Sequence, residues 1–501
     1  MLKHAVVVYC DFECLTETVS NAMQSTDTSF STVTQIHKPI CYAMIVLDKN
    51  ERIIYSKFYC GLNAVEDFLS RLKALSEHLI KEIKLNIPLD PQTIPNSINR
   101  DKCYICGRKF SSNDVSVIDH NHLNGQFRGV ACQGCNLNLN LKPFIPVVLH
   151  NFSGYDSHLI LKDITKKYIS SLSIVPINME KYTTYSLDCF KFLDSYQFLN
   201  ASLNKLTDNL VQSKYDFPIF RQFFSDNKNS YLLKRKGVFP YSWFNNISKL
   251  NNTSLPDKKY FYNDLTRSHI SSEDYDLARL VWKAFNCKKF SDYLQLYQFV
   301  DTILLADIFT NFRNLSLKYY DLDPLHFLTS PHLTFTAGLK MAKIELQLFT
   351  DLDMYLFVES GLRGGLSLVS KRFSRANNPY VSQTYDKSKP HSYIVMIDSN
   401  NLYGLSMVQY LPYGEFRWLR RTEIDEFDIK NVPLKSEIGY ILEVDLEYPV
   451  SLHNRHNDFP LAVNHEKIEY EDLSEYQKSL LSSLNLKFSN NIKKLVSDFK
   501  R

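Results

Sequence analysis

Two Cys-x-x-Cys pairs, Cys103 with Cys106 in "CYIC" and Cys132 with Cys135 in "CQGC", constrain this chain more than any other feature. Each pair can clip one side of a tetrahedral metal site, whose thiolates converge at about 2.3 Å on zinc. Two such pairs, separated by a few dozen residues, read as one structural Zn2+ held by Cys103, Cys106, Cys132 and Cys135. Four thiolate ligands leave no open position, so this metal would hold the fold and not do chemistry. The other cysteines (Cys10, Cys14, Cys41, Cys60, Cys189 and Cys287) are scattered singly. That pattern predicts a reducing, intracellular compartment with no disulfide framework. It does not distinguish nucleus, mitochondrion or a viral setting.

Between the pairs lies Asp119-His120-Asn121-His122, and Asn136 follows the last cysteine directly. A carboxylate beside an imidazole can ligate a hard cation while the imidazole activates water against a phosphodiester. The same residues also make good turn composition. In order and spacing, CxxC–DHxH–CxxCN resembles the zinc-bearing ββα-metal nuclease module of phage recombination endonuclease VII. The resemblance implies His120 as general base, Asp119 and Asn136 as Mg2+ ligands, and His122 as a secondary site residue. The module could equally keep its zinc for stability and its fold for DNA binding alone.

The rest of the 501 residues reads as a larger α/β protein. Apolar content of 44% and charge of 22% are those of an ordinary globular chain, and a net charge of +4 argues for no partner by itself. No stretch of 18 apolar residues is present, so no membrane partner is expected. Strand-like runs ("HAVVVYCDFE", "CYAMIVLD", "RIIYSKFYC") precede an amphipathic helix, "AVEDFLSRLKALSEHLIKEI". A Pro/Asn-rich break follows, then the cysteine segment, and strand character resumes at "IPVVLHNFSGYD". Helical patterning dominates from about residue 200 to 350, and a strand "SYIVMID" is expected after a second break. The division is 1–98, 99–143, 144–350 and 351–501.

Acidic residues recur at separated positions. Asp11 and Glu13 are two apart on a strand and so share a face. Asp156 ends "HNFSGYD", with Asn151 five residues earlier, and Tyr297 and Asp301 are i,i+4 on one helical face expected to border a cleft. Four acids are what two-metal phosphodiester hydrolysis requires, with a tyrosine to orient the water. The order DxE, N-x3-YD, Yx3D resembles the 3′–5′ proofreading exonuclease of family B DNA polymerases. Ser202 and Leu203, opening "SLNKL", resemble the SLxxL motif by which protein-primed members contact single-stranded DNA and the priming protein. A serine N-cap on an ordinary helix is the plain alternative.

Two further stretches extend the resemblance. "YIVMIDSNNLYG" resembles the first polymerase motif, DxxxLYP, with Gly404 in the proline place. It implies that Asp398 grips the Mg2+ of an incoming dNTP and that Tyr403 lies beneath the sugar. "GLRGGL" resembles the YxGG segment, implying that Arg363, Gly364 and Gly365 approach the DNA strand. The lysine-helix and DTD motifs of the family find no counterpart, so an incomplete palm is expected.

The expected fold is an RNase H-like 3′–5′ exonuclease domain interrupted by a zinc-bound ββα module. A helical region and the start of a polymerase palm would follow. The leading expectation is a protein-primed family B DNA polymerase with proofreading, acting on single-stranded 3′ ends and primer-template DNA. Two others stay open: a structure-specific endonuclease using the DHNH site, and a catalytically silent DNA-binding relic of a mobile element.

Overall fold

In strand β1 (Val7–Thr18) successive side chains serve two different cores. Val6, Val8, Cys10 and Phe12 join one apolar cluster, and Val7, Tyr9 and Leu15 join another. This is the period-2 alternation of a strand buried on both faces. Asp11 and Glu13 therefore project on the side of Val7 and Tyr9, toward the second cluster.

The structure, a computed structural model, describes every residue except 1–2, 19–34, 84–86, 99, 113, 123–124, 139–143, 165, 179–180, 226, 264–266, 363–366, 382, 448, 457–460, 462, 490–493 and 498–501. The chain forms two units, Met1–Ile344 and Glu345–Arg501. No helix among the described residues is long and apolar enough to cross a membrane.

The first unit is built on a seven-stranded sheet. Its strands are β1, β2 (Gln35–Leu47), β3 (Ile53–Cys60), β6 (Ile145–Leu149), β7 (Leu172–Asn178), β8 (Lys181–Leu187) and β9 (Phe190–Asp194). Their order across the sheet is β3-β2-β1-β6-β9-β8-β7. β1, β6 and β9 run parallel at the centre, and the pairs β1/β2, β2/β3, β8/β9 and β7/β8 are antiparallel. Helix α1 (Ala64–Ile83) covers the face that carries Val8 and Phe12, over the span its amphipathic pattern predicts.

A long helix, Phe290–Tyr320, covers the other face. Every residue from Tyr297 to Thr310 is buried. A helix enclosed all round must satisfy each polar side chain it carries. Asp307 accepts from the backbone amides of Ile219 (3.1 Å) and Phe220 (2.8 Å) in the short helix Pro218–Phe224. Arg313 forms a buried bidentate pair with Asp323, at 3.0 and 2.7 Å, and Asp323 also accepts from the His4 amide at 2.9 Å. These bonds, with Tyr9 OH 3.2 Å from Thr310 Oγ1, fasten β1 to the long helix.

The zinc-type segment lies between α1 and β6. β4 (Ser116–His120) pairs antiparallel with β5 (Phe127–Cys132), and the short helix Gln133–Asn138 follows. Residues 87–94, read from sequence as a break, bond to this segment. Ile87 N donates to His122 O, Asp90 N to Gly125 O, and Phe127 N to Thr93 Oγ1.

The second unit differs from expectation. No strand forms over 393–398, because a strand needs a ladder partner and none of the described residues pairs there. Ile394, Val395, Met396 and Ile397 are all exposed, and among the described residues only Asn378 is buried in this unit. Among its described residues the one ladder joins β10 (Val463–Glu466) to β11 (Lys494–Ser497).

Candidate active site

Four acids separated by almost three hundred residues act on one another in the first unit. Asp11 and Glu13 come from β1, Asp156 opens the helix Asp156–Asp163 just after β6, and Asp301 lies on the long helix. Burial, reinforced by Asp301, pushes the Asp11 carboxyl up to about 7, against the pull of Lys236. Burial and Asp11 raise Glu13 well above its ordinary range, and burial with Asp11 and Asp194 does the same to Asp156. Like charges out of water disfavour ionisation unless a cation joins them.

One cation is already there. Lys236 Nζ stands 3.1 Å from Asp301 Oδ2. Burial opposes its charge, yet Asp301, Tyr241, Asp11 and Glu13 outweigh that and hold the ammonium well above its usual range. One ammonium does not satisfy four acids: Asp156 Oδ1 and Asp301 Oδ1 are buried with no hydrogen-bond partner. Buried carboxylate oxygens without a hydrogen-bond partner fit divalent cations, the hard ions that oxygen ligands take. Among the described residues only the four cysteines bring their donor atoms within 4.8 Å of one another. No three of the four acids bring their oxygens that close together.

Tyr297 and Asp301 do not border solvent as their spacing suggested; both are buried, because the helix is enclosed on every side. Tyr297 OH lies 2.7 Å from Tyr241 OH. Burial and then Asp301 push the Tyr297 phenol far up, so it keeps its proton. A Cβ on Gly237 would stand 2.9 Å from the Tyr297 ring, so only glycine lets the loop bearing Lys236 pack there.

Asn151 takes a left-handed conformation (φ 63°) at the end of β6 and is exposed. Its neighbour His150 donates through Nε2 to Ala201 O at 3.0 Å, placing Asn151 and Ser202 on either side of one hydrogen bond. Ser202 is exposed and caps the helix Leu203–Gln212, its Oγ accepting from Lys205 N at 3.3 Å. Leu203, by contrast, is buried in the core. The motif's exposed surface is therefore Ser202, Asn204 and Lys205.

In the inserted segment the four sulfurs of Cys103, Cys106, Cys132 and Cys135 converge, the donor set of a tetrahedral zinc site. A tight knuckle, with Gly107 N donating to Cys103 O and Cys103 N to Arg108 O, supports the first pair. The helix Gln133–Asn138 carries Cys135 and Asn136. The DHNH loop differs from its resemblance. Asp119 is buried, with Oδ1 held by Arg128 at 2.8 Å and Oδ2 by the Tyr104 hydroxyl. Each oxygen thus accepts one hydrogen bond, which fixes the carboxylate and leaves a lone pair on each oxygen. His120 Nε2 donates to Ile87 O at 3.2 Å, and the rings of His120 and His122 lie 4.8 Å apart.

In the second unit Asp398 and Tyr403 are exposed, and among the described residues Asp398 belongs to no cluster of three or more metal-ligating side chains. Asn401 caps the helix Leu402–Met407 by accepting from Gly404 N at 3.2 Å. A Cβ at 404 would meet that side chain at 2.3 Å. Glycine supplies both the N–H and the space that the proline of the resembled motif lacks. Arg363, Gly364 and Gly365 lie outside the described residues.

Reasoning from sequence missed Lys236, Tyr241 and Gln298 around the acids, and Tyr104 and Arg128 around Asp119. A signal existed for two of them. Lys236 ends the basic run "KRK" directly before the aromatic, proline-marked "GVFPY", and Gln298 is an amide inside an apolar helix; a polar group buried in either setting needs a partner.

The first unit thus carries one cluster of interacting acids and one cysteine-clasped insert. The family model described as DNA polymerase type B, organellar and viral, matches residues 144–470, and that of recombination endonuclease VII matches residues 81–144. The first match spans well over half of the chain, which therefore belongs to the organellar and viral type B DNA polymerases. DNA is the partner both families imply. No curated protein and no solved structure matches the chain.

Proposed function

We propose that the chain acts in protein-primed DNA replication and that its first unit is a 3′–5′ proofreading exonuclease. The observation that carries this reading is the meeting of half-buried Asp11 and Glu13 with buried Asp156 and Asp301, two of whose carboxylate oxygens are left unpartnered. The sheet order β3-β2-β1-β6-β9, with β1, β6 and β9 parallel, supports an RNase H-like domain.

The four acids would hold two Mg2+ ions, which when bound activate a water and screen the scissile phosphate. Tyr297, protonated and steadied by Tyr241, donates toward the reacting water. Lys236 keeps its charge and offsets that of the incoming phosphodiester once Asp301 is otherwise engaged. Asn151 and Ser202, exposed on either side of the His150–Ala201 bond, line the approach of a single strand. The four cysteines would hold one Zn2+, making the insert a clasp fixed between α1 and β6. In the palm, Asp398 and Tyr403 would serve dNTP binding, with Arg363, Gly364 and Gly365 along the DNA; the priming protein is the further partner.

A second reading, endonucleolytic cleavage by the DHNH loop, draws support from the endonuclease VII match. It requires Asp119 to take a cation while Arg128 and Tyr104 hold its two oxygens. One assay separates the two. A 5′-labelled single strand with Mg2+ should shorten stepwise from its 3′ end, and Asp301→Asn should lower the rate by about a thousandfold or more. Internal cuts that survive Asp301→Asn and vanish with His120→Ala would establish the second reading instead.

A further inference from the structure

Gln298 lies between Tyr297 and Asp301 on the long helix and is fully buried. Its Nε2 donates to Asp11 Oδ2 at 2.9 Å, and its Oε1 stands 3.5 Å from the Cys41 sulfur. With a cation bound, Asp11 is ionised and its carboxylate only accepts, so the amide turns its NH2 to Asp11 and its oxygen to Cys41, whose S–H then donates. Cys41 sits on β2 directly opposite Glu13, on the same face of the sheet, and is itself wholly buried. Cys60, its partner on β3, is a second acceptor within reach of the same thiol.

An amide in an otherwise apolar, enclosed helix costs free energy that a leucine or methionine would not. What it does here, and an apolar side chain could not, is hold the Asp11 carboxylate by one oxygen. We propose that Gln298 is a positioning residue of the acidic centre. It fixes the rotation of the Asp11 carboxylate toward the cations, and the Cys41 thiol holds the amide in the orientation that does so. This assignment rests on the nuclease reading above.

The test uses the full chain, with Mn2+ alone as the probe of the site by electron paramagnetic resonance. Initial rates on a 5′-labelled oligonucleotide run beside it. Gln298→Met keeps length and burial but removes the donor. Mn2+ affinity should fall about tenfold or more, and kcat should fall with it, while KM for DNA stays within about twofold. The pair Cys41→Ser and Cys41→Val gives the sharper comparison, and it stands even if Gln298→Met fails to fold. Serine keeps a donor for Oε1 and should bind Mn2+ within about twofold of the parent. Valine, the better core residue, should bind it severalfold more weakly. A merely structural cysteine would give the reverse order, since valine suits an apolar site better than serine.

If Gln298→Met and Cys41→Val both match the parent while Asp11→Ala abolishes Mn2+ binding and cleavage, the positioning role is refuted and the nuclease reading stands. If the parent shows neither Asp11-dependent Mn2+ binding nor exonuclease activity, the nuclease reading itself falls, and this assignment with it.

Discussion

Replacing Lys236 with methionine removes the one cation among the four acids while keeping the length of the side chain. At 3.1 Å the Lys236–Asp301 attraction is about 5 kcal/mol for an effective dielectric near 20. The lysine side chain is one-third exposed, so solvent screening and the cost of desolvating it take back a good part. The expected loss of stability in EDTA is about 2–3 kcal/mol. For a unit of 344 residues, with an unfolding entropy of about 0.7 kcal/mol/K, that is a fall of about 3–4 °C in Tm. Mg2+ should reverse it. In the parent an added ion must compete with Lys236 for Asp301, whereas in the variant it meets an acid with no counter-charge. Millimolar Mg2+ should therefore raise the variant's Tm by about 2 °C more than the parent's, which follows from binding the native state alone. Scanning calorimetry on both proteins, in EDTA and in Mg2+, gives the four numbers needed. Equal melting in EDTA, or equal increments from Mg2+, would refute the placement of Lys236 as the stand-in charge of the site.

Two further outcomes follow from buried groups elsewhere. Burial pushes the Asp307 carboxyl from 3.8 up to about 7, although two backbone amides favour its ionised form. The folded state then binds the extra proton between pH 4 and 7, so stability present at low pH is lost as pH rises, by up to about 4 kcal/mol. Asp307→Asn cannot ionise and strands one N–H, so in urea titrations it should trail the parent by about 1–3 kcal/mol at pH 5. That deficit should shrink or reverse by pH 8; a pH-independent difference would contradict the account. For the insert, one Zn2+ per chain is expected by elemental analysis. Thiol titration of the native protein should show Cys103, Cys106, Cys132 and Cys135 reactive only after chelation, together and not one by one.

Much of the first unit was legible because its signals were local. Helix α1 occupies the residues its apolar stripe defines, and the Cys-x-x-Cys spacing foretold the convergence of four sulfurs. Strand periodicity put Asp11 and Glu13 on one face, and a single helix had to carry Tyr297 with Asp301. The rest depended on long-range pairings that no local pattern encodes. Lys236 reaches Asp301 across 65 positions, and Gln298 reaches Asp11 across 287. Arg128 captures Asp119 because the hairpin pairs Asp119 with Gly129 and a register shift leaves Arg128 beside it. The run "SYIVMID" shows the converse: strong strand propensity forms no strand where nothing among the described residues offers a ladder.

The account rests on a shared pair of ions among Asp11, Glu13, Asp156 and Asp301. Crystals of the chain soaked in Mn2+ and measured at the manganese edge test this directly. Two anomalous peaks bounded by those four side chains, with Lys236 Nζ drawn away from Asp301, are the expected result. A map with no manganese among the four acids, and Lys236 still bonded to Asp301, would contradict it.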